Sequence, residues 1–189
     1  MKTKNKKLKI IKAVEKLAKT HSFDEIKLDD VARIAGVGKG TIYIYFKDKD
    51  DLFAKTTLNG SEELCKLIEQ YAESDKCFIE KLYTVCEAVS DFFMHRQALL
   101  RLMHEYEIRR GTNTLHAKNG DKDDIFSSVL KIMRQGIEEN KLSATVPLET
   151  QAVFLLGLLR TRDWSFKRHK MKTPPVKLAV DIFLNGMRT

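Results

Sequence analysis

Lys39, Thr41, Tyr43, Lys47 and Lys49 stand close together near the amino end of the chain. Ammonium and hydroxyl groups of these kinds pair with phosphate oxygens. Gly40 lies among them and leaves a gap through which a phosphate can approach the backbone. If a helix starts near Lys39, its first N–H groups and the positive end of its dipole also attract phosphate. The chemistry implied is a grip on a nucleic-acid backbone. For any single residue a plainer role competes evenly: Tyr43 and Tyr45 as core aromatics, the lysines as a solvated face. The combination on one short segment favours the grip.

The elements that must position these groups are two short helices. Leu28, Val31, Ala32 and Ala35 recur at spacings of three and four, so they share one buried face of a helix over 28–35. Asp29 and Asp30 fall in its first turn, where negative charge meets the helix dipole favourably. Gly36 follows at once and accepts the left-handed conformation of a sharp turn. Val37 plugs the corner, and Gly38 caps a second helix from Lys39 to about Phe46. Ile42, with Tyr45 or Phe46 and later Leu52 and Phe53, anchors that helix. Lys39, Thr41 and Tyr43 are left outside. Helix, tight turn and helix make the helix-turn-helix geometry, whose second helix enters the major groove.

The spaced set Phe23, Val31-Ala32, Ala35-Gly36-Val37, Gly40-Thr41-Ile42-Tyr43, Tyr45-Phe46, Lys49 and Leu52 resembles the tetracycline-repressor (TetR) family of bacterial transcription regulators. The resemblance covers about the first quarter of the chain; the rest agrees in length and helical character. It implies that Thr41, Tyr43, Tyr45 and Lys49 hold DNA phosphates, with Lys39 and Ile44 at the variable positions that read bases. Two departures stand out. The family usually has a threonine and a small polar residue where Ile26 and Lys27 stand, and a serine where Gly38 stands. A hydroxyl grip on phosphate is lost there, and Lys27 can replace it with a charge. The resemblance further implies a homodimer and a small-molecule pocket in the remaining helices, with repression as the family default.

Charge agrees with a polyanionic partner. The net charge is +8 and the pI about 9.3. Residues 1–55 carry 14 Lys+Arg against 8 Asp+Glu, net +6, and the remainder only +2. The run Lys2, Lys4, Lys6, Lys7, Lys9 is a phosphate-reaching arm or only a solubilising tail. Cys65, Cys77 and Cys86 are odd in number and lack zinc-site spacing, which suits free thiols in a reducing cytoplasm. No secretory signal is visible, and the longest apolar run, 152–159, is far shorter than the ~18 residues of a membrane span.

Helical periodicity runs through the whole chain and no alternating strand pattern persists, so the fold class is all-α. The sequence predicts a three-helix DNA-binding domain over residues 1–50 and a larger helical ligand-sensing and dimerisation domain over 51–189. Leu8, Ile11, Val14, Leu17 and Ala18 line a first helix ending near His21. A long helix follows over 50–73, then one capped by Asp75 to about Arg96, then 97–110. Residues 111–121 form a polar loop, and Asp123 or Asp124 opens a helix that ends at Asn140. Pro147 opens a helix to about His169, and a last one follows Pro174-Pro175.

The last two helices point to a partner. Residues 152–159 are apolar all round, so that helix must be covered on more than one side. Val176, Ala179, Val180, Phe183 and Met187 make one stripe, widened by Leu178 and Ile182. Two broad-striped helices fit a four-helix interface about a two-fold axis, against the alternative of ordinary core helices in a monomer. An apolar pocket between helices would take an apolar or amphipathic effector. Its expected lining is Tyr71, Phe93, Met103, Tyr106, Phe126, Met133, Phe154, Arg160 and Trp164, each of which could equally pack the core.

An enzyme is disfavoured. His95, His104 and His116 lack tight ligand spacing, and neither a phosphate-cradling glycine loop nor a nucleophile elbow occurs. His104 with Glu105 is the one pair suited to acid–base chemistry. Asp121, Asp123 and Asp124 lack the remaining ligand positions of a calcium loop. Neither a cofactor nor a metal site is expected. The partners expected are a double-stranded DNA operator, a small-molecule effector and a second copy of the chain, with no membrane. The other readings are a helical protein-binding adaptor and, behind it, an enzyme using His104 and Glu105.

Overall fold

The computed structural model describes residues 2–111 and 125–187, with the backbone alone at 2–4, 110, 163, 164, 167 and 168. The described residues are all-α, in nine helices and no strand. In order these are α1 (Lys2–Leu17), α2 (Leu28–Ala35), α3 (Lys39–Tyr45), α4 (Lys49–Ala72), α5 (Phe78–His95), α6 (Gln97–Arg110), α7 (Ile125–Glu138), α8 (Leu148–Arg168) and α9 (Val176–Met187). They cluster into two compact units. One holds α1, α2, α3, α4 as far as Ser61, and α6; the other holds α4 from Glu62, α5, α7, α8 and α9.

The first unit closes on one apolar cluster. Ile10 and Val14 of α1, Phe23 and Ile26 of the following turn, Val31 of α2 and Ile42 of α3 are all buried in it, with Phe46 and Phe53. Helix α1 is longer than its apolar pattern predicts. It begins at Lys2, in keeping with lysine being a good helix former. The lysine run is thus helical, with Lys6, Lys7 and Lys9 exposed. Leu8, expected on the buried face, is 39% exposed, and full burial begins at Ile10.

Helix α6 is built into the same unit through polar groups. Arg96, just before it, pairs with Glu15 of α1. Arg101 Nη2 donates to the His21 carbonyl at 2.9 Å, and the Phe23 N–H donates to Glu105 Oε2 at 3.2 Å. Leu102 joins the apolar cluster. Leu99 lies so close to Gly60 of α4 that a Cβ there would stand 2.5 Å from Leu99 Cδ2. Any side chain at residue 60 would therefore force Leu99 to shift.

In the second unit α5 buries Phe78, Leu82, Val85, Val89 and Phe93. Helix α7 buries Val129, Ile132 and Met133, and α9 buries Ala179, Val180 and Phe183. Buried Arg162 of α8 donates through Nε to the Pro174 carbonyl and through Nη1 to Ser90 Oγ, both at 2.7 Å. It thereby ties α8 to α5 and to the segment that leads into α9. Asp75 does not cap α5. The helix starts at Phe78, whose N–H is 3.1 Å from both carboxylate oxygens of Glu139, a distant residue that local sequence does not reveal. Pro147 stands just before α8, its carbonyl accepting the Gln151 N–H at 3.1 Å. Helix α7 ends at Glu138, two residues before the expected Asn140, which takes φ 54° in the turn that follows. The 112–121 part of the polar loop and the proposed start at Asp123 or Asp124 lie outside the described residues.

Candidate nucleic-acid interface

Helices α2 and α3 meet through a turn that the chain closes with its own backbone. Gly36 takes φ 65° and ψ 42°, the left-handed region. The Gly36 N–H then reaches the Arg33 carbonyl and the Val37 N–H the Ala32 carbonyl, which satisfies groups that end α2. Gly38 is extended, and the Thr41 N–H bonds to its carbonyl at 2.8 Å, starting α3. Neither Lys27 nor Gly38 gives its helix a side-chain cap, as their chemistry requires.

The third helix is divided sharply. Ile42 is buried, and Phe46 closes the end, its N–H on the Ile42 carbonyl at 2.9 Å. Tyr45 is half-buried against the cluster. On the other side Tyr43 is 52% exposed and Ile44 75% exposed, and Lys39 and Gly40 are exposed too. Thr41 is half-buried between the two faces. A Cβ built on Gly40 would meet no atom within 4 Å. The chain itself therefore does not need glycine at this position.

Of the expected contact lysines Lys27, Lys39 and Lys49, two are held by internal partners. Lys39 Nζ ion-pairs with Asp29 Oδ2 at 2.9 Å, which raises its pKa. Lys49 is half-buried at the start of α4. Its Nζ donates to the Asp24 carbonyl at 3.1 Å and stands 4.7 Å from the Phe23 ring centroid. Burial pushes its pKa down, partly offset by the nearby Asp24 carboxylate. Lys27 is exposed at the start of α2. Tyr45 and Lys49 thus face the protein more than Lys39, Gly40, Tyr43 and Ile44 do.

The expected pocket residues do not fall in one unit. Met103 and Tyr106 belong to α6 in the first unit; Tyr71, Phe93, Phe126, Met133, Phe154 and Arg160 belong to the second. Met133 and Phe93 are buried, Tyr71, Phe126 and Arg160 half-buried, and Phe154 is 55% exposed on α8. The side chain of Trp164 lies outside the described residues. Beside Phe154, Val153 is exposed, as are Leu178 and Ile182 of the adjacent α9. The apolar helices thus keep an outward apolar side after their inner faces are buried.

The acid–base pair is not assembled. Glu105 takes the Phe23 N–H at 3.2 Å and lies near Arg101. His104 instead stands 3.8 Å from Glu107. Among the described residues no cluster of metal-ligating side chains occurs, and no helix is long and apolar enough to cross a membrane.

Comparison with known proteins agrees with this geometry. Residues 10–56 match the family described as bacterial regulatory proteins, tetR family. The chain is 30% identical over 167 residues to the HTH-type transcriptional regulator YhgD of Bacillus subtilis (strain 168), covering 87% of this chain and 86% of that one. It is 26% identical over 160 residues to the fatty acid metabolism regulator protein of the same strain, covering 82% and 81%. The solved structure of transcriptional regulator FadR from Bacillus subtilis in complex with stearoyl-CoA superposes with TM-score 0.71 at 18% identity, over 93% of this chain and 95% of that one.

Proposed function

Because the chain belongs to the TetR family of bacterial transcription regulators, we propose that it binds a palindromic operator as a homodimer and represses until an apolar or amphipathic effector releases it. The observation that carries this reading is the outward face of α3. Tyr43 and Ile44 are exposed although Ile42 and Phe46 are buried, and Gly40 is open on a helix whose own packing does not require a glycine. A groove-entering helix needs such a face, and close approach of phosphate explains the glycine. In this reading Lys27, Thr41, Tyr43, Tyr45 and Lys49 hold phosphates while Lys39 and Ile44 meet base edges.

The apolar outer side of α8 and α9, with Val153, Phe154, Leu178 and Ile182, is the proposed two-fold interface. Pairing two copies there would present two α3 helices to half-sites about one helical turn apart. The proposed DNA-binding domain is residues 1–50, and the helices beyond it form the dimerisation and ligand-binding domain. A protein that acts on bacterial genomic DNA acts in the cytoplasm.

Long-chain acyl thioesters are the effector class to test first. The support is likeness to a fatty acid metabolism regulator and to a regulator solved with stearoyl-CoA. The effector releases DNA only by its preference for one of two conformations, and a coupling of roughly 1–3 kcal/mol is typical.

Duplexes selected from a random pool by the purified protein test the reading. The expected winner is an inverted repeat, bound by a dimer and released by micromolar stearoyl-CoA or another acyl compound. Phe154→Asp should yield monomers in sedimentation and lose operator affinity. Selection that enriches no sequence would end the reading, and a dimer untouched by Phe154→Asp would end the interface assignment.

A further inference from the structure

One turn of the first unit, Phe23-Asp24, is held by two cations from different helices. Arg109 of α6 lies over the Phe23 ring, its guanidinium carbon 3.9 Å from the centroid, and its Nη1 bonds to Asp24 Oδ1 at 3.0 Å. Lys49 of α4 lies over the same ring at 4.7 Å and bonds not to the Asp24 carboxylate but to the Asp24 backbone carbonyl, at 3.1 Å. The ring also packs edge-on against Phe53, at 4.4 Å, and the Phe23 N–H is fixed by Glu105 of α6. Two positive groups therefore share one aromatic ring and one acidic residue, and the carboxylate has gone to Arg109. The Asp24 carboxylate is close enough for its charge to act on Lys49, which already bonds to the same residue.

We propose that Arg109 is a positioning residue for Lys49: by occupying the Asp24 carboxylate it keeps Lys49 available to a DNA phosphate, and when α6 shifts, Asp24 captures Lys49 instead. The physical basis is competition for one anion. A carboxylate in direct contact with Lys49 would neutralise the charge that a phosphate must find, whereas a neutral carbonyl does not. The second cation also repels Lys49. Asp24 is 79% exposed and Arg109 43% exposed, so the exchange costs little in either direction, as a switch requires. Helix α6 follows α5 after the single residue Arg96. The inference rests on the assignment of Lys49 as a phosphate contact made under Proposed function.

Fluorescence anisotropy on the selected operator across a salt series tests it, with Lys49→Ala, Arg109→Gln, Asp24→Asn and the double variants. Arg109→Gln should weaken binding by roughly two- to fivefold per protomer, the scale of an exposed charge pair. It should flatten the salt slope by about one per protomer, as Lys49→Ala does. Asp24→Asn should restore both in the Arg109→Gln background, and Lys49→Ala should add almost nothing to Arg109→Gln. A purely structural arginine would not be rescued by Asp24→Asn, so absence of rescue overturns the proposal. Additive losses for Arg109→Gln and Lys49→Ala also overturn it, because they mean that Arg109 touches phosphate itself. If Arg109→Gln does not fold, Asp24→Asn alone decides: binding no weaker than the unaltered protein is expected, and weaker binding contradicts the exchange. Failure of the underlying assignment shows differently, as an unchanged slope for Lys49→Ala alone.

Discussion

The ammonium group of Lys39 on α3 sits 2.9 Å from the carboxylate of Asp29 on α2. Both side chains are well exposed, so the pair is easily opened and contributes little to the fold. Its consequence is for DNA binding. Asp29 places a negative charge beside the groove-facing helix and gives Lys39 an internal substitute for phosphate or guanine. Asp29→Asn should therefore tighten binding to operator and random duplex alike, by roughly two- to fivefold at low salt. Lys39→Ala should instead change the ranking of operator variants. Equal losses on operator and random DNA for Lys39→Ala would show that this lysine reads no base.

Ile44 presents an apolar side chain, 75% exposed, on the face opposite Ile42. An apolar group in the major groove is suited to the thymine methyl group. Replacing thymine by uracil at one position of each half-site should weaken binding by about 1 kcal/mol per methyl, the scale of one buried carbon. In Ile44→Ala that sensitivity should vanish. A uracil scan with no sensitive position would remove Ile44 from base recognition.

Gly60 and Leu99 set the approach of α4 to α6. A methyl group at residue 60 would lie 2.5 Å from Leu99 Cδ2, and Leu99 is fully buried. Gly60→Ala should cost about 1–3 kcal/mol of stability through overpacking, although alanine is the better helix former. Urea unfolding measures this, and Leu99→Ala in the same chain should recover part of the loss. A stabilised Gly60→Ala would mean that the helices stand further apart.

The thiols should divide one to two. Cys77 is exposed, whereas Cys65 and Cys86 are buried, and burial pushes the Cys86 thiol up to about 12. A thiolate is the reactive form, so at pH 8 Cys86 is almost wholly protonated as well as covered. A disulfide reagent should titrate one thiol quickly and two only after unfolding. Three fast thiols would contradict the packing of α4 and α5.

Local signals made the helix-turn-helix legible. The spacing of Val31, Ala32 and Ala35, the glycine at 36 and the buried Ile42 all act within a few residues, and each stands where its spacing predicts. What was not legible depends on distant partners. The place of α6 is set by Arg96 with Glu15 and by Glu105 with the Phe23 N–H, pairs separated by 81 and 82 positions. The start of α5 is set by Glu139, 61 positions away, which no cap pattern at Asp75 discloses. Lys49 shows the same limit at the site. Its residue type marks a phosphate contact, but its hold on Asp24 follows from packing against Phe23. Spacing likewise could not separate Met103 and Tyr106 from the other apolar residues, because α6 clusters with the first unit.

Hydroxyl-radical footprinting on the selected operator tests the central claim most directly. Two α3 helices presented together should protect two backbone patches related by a two-fold axis, centred about one helical turn, ~10 base pairs, apart. Tyr43→Ala with Lys49→Ala should erase both patches while sedimentation still reports a dimer. A single patch, or protection that survives those substitutions, would contradict the account.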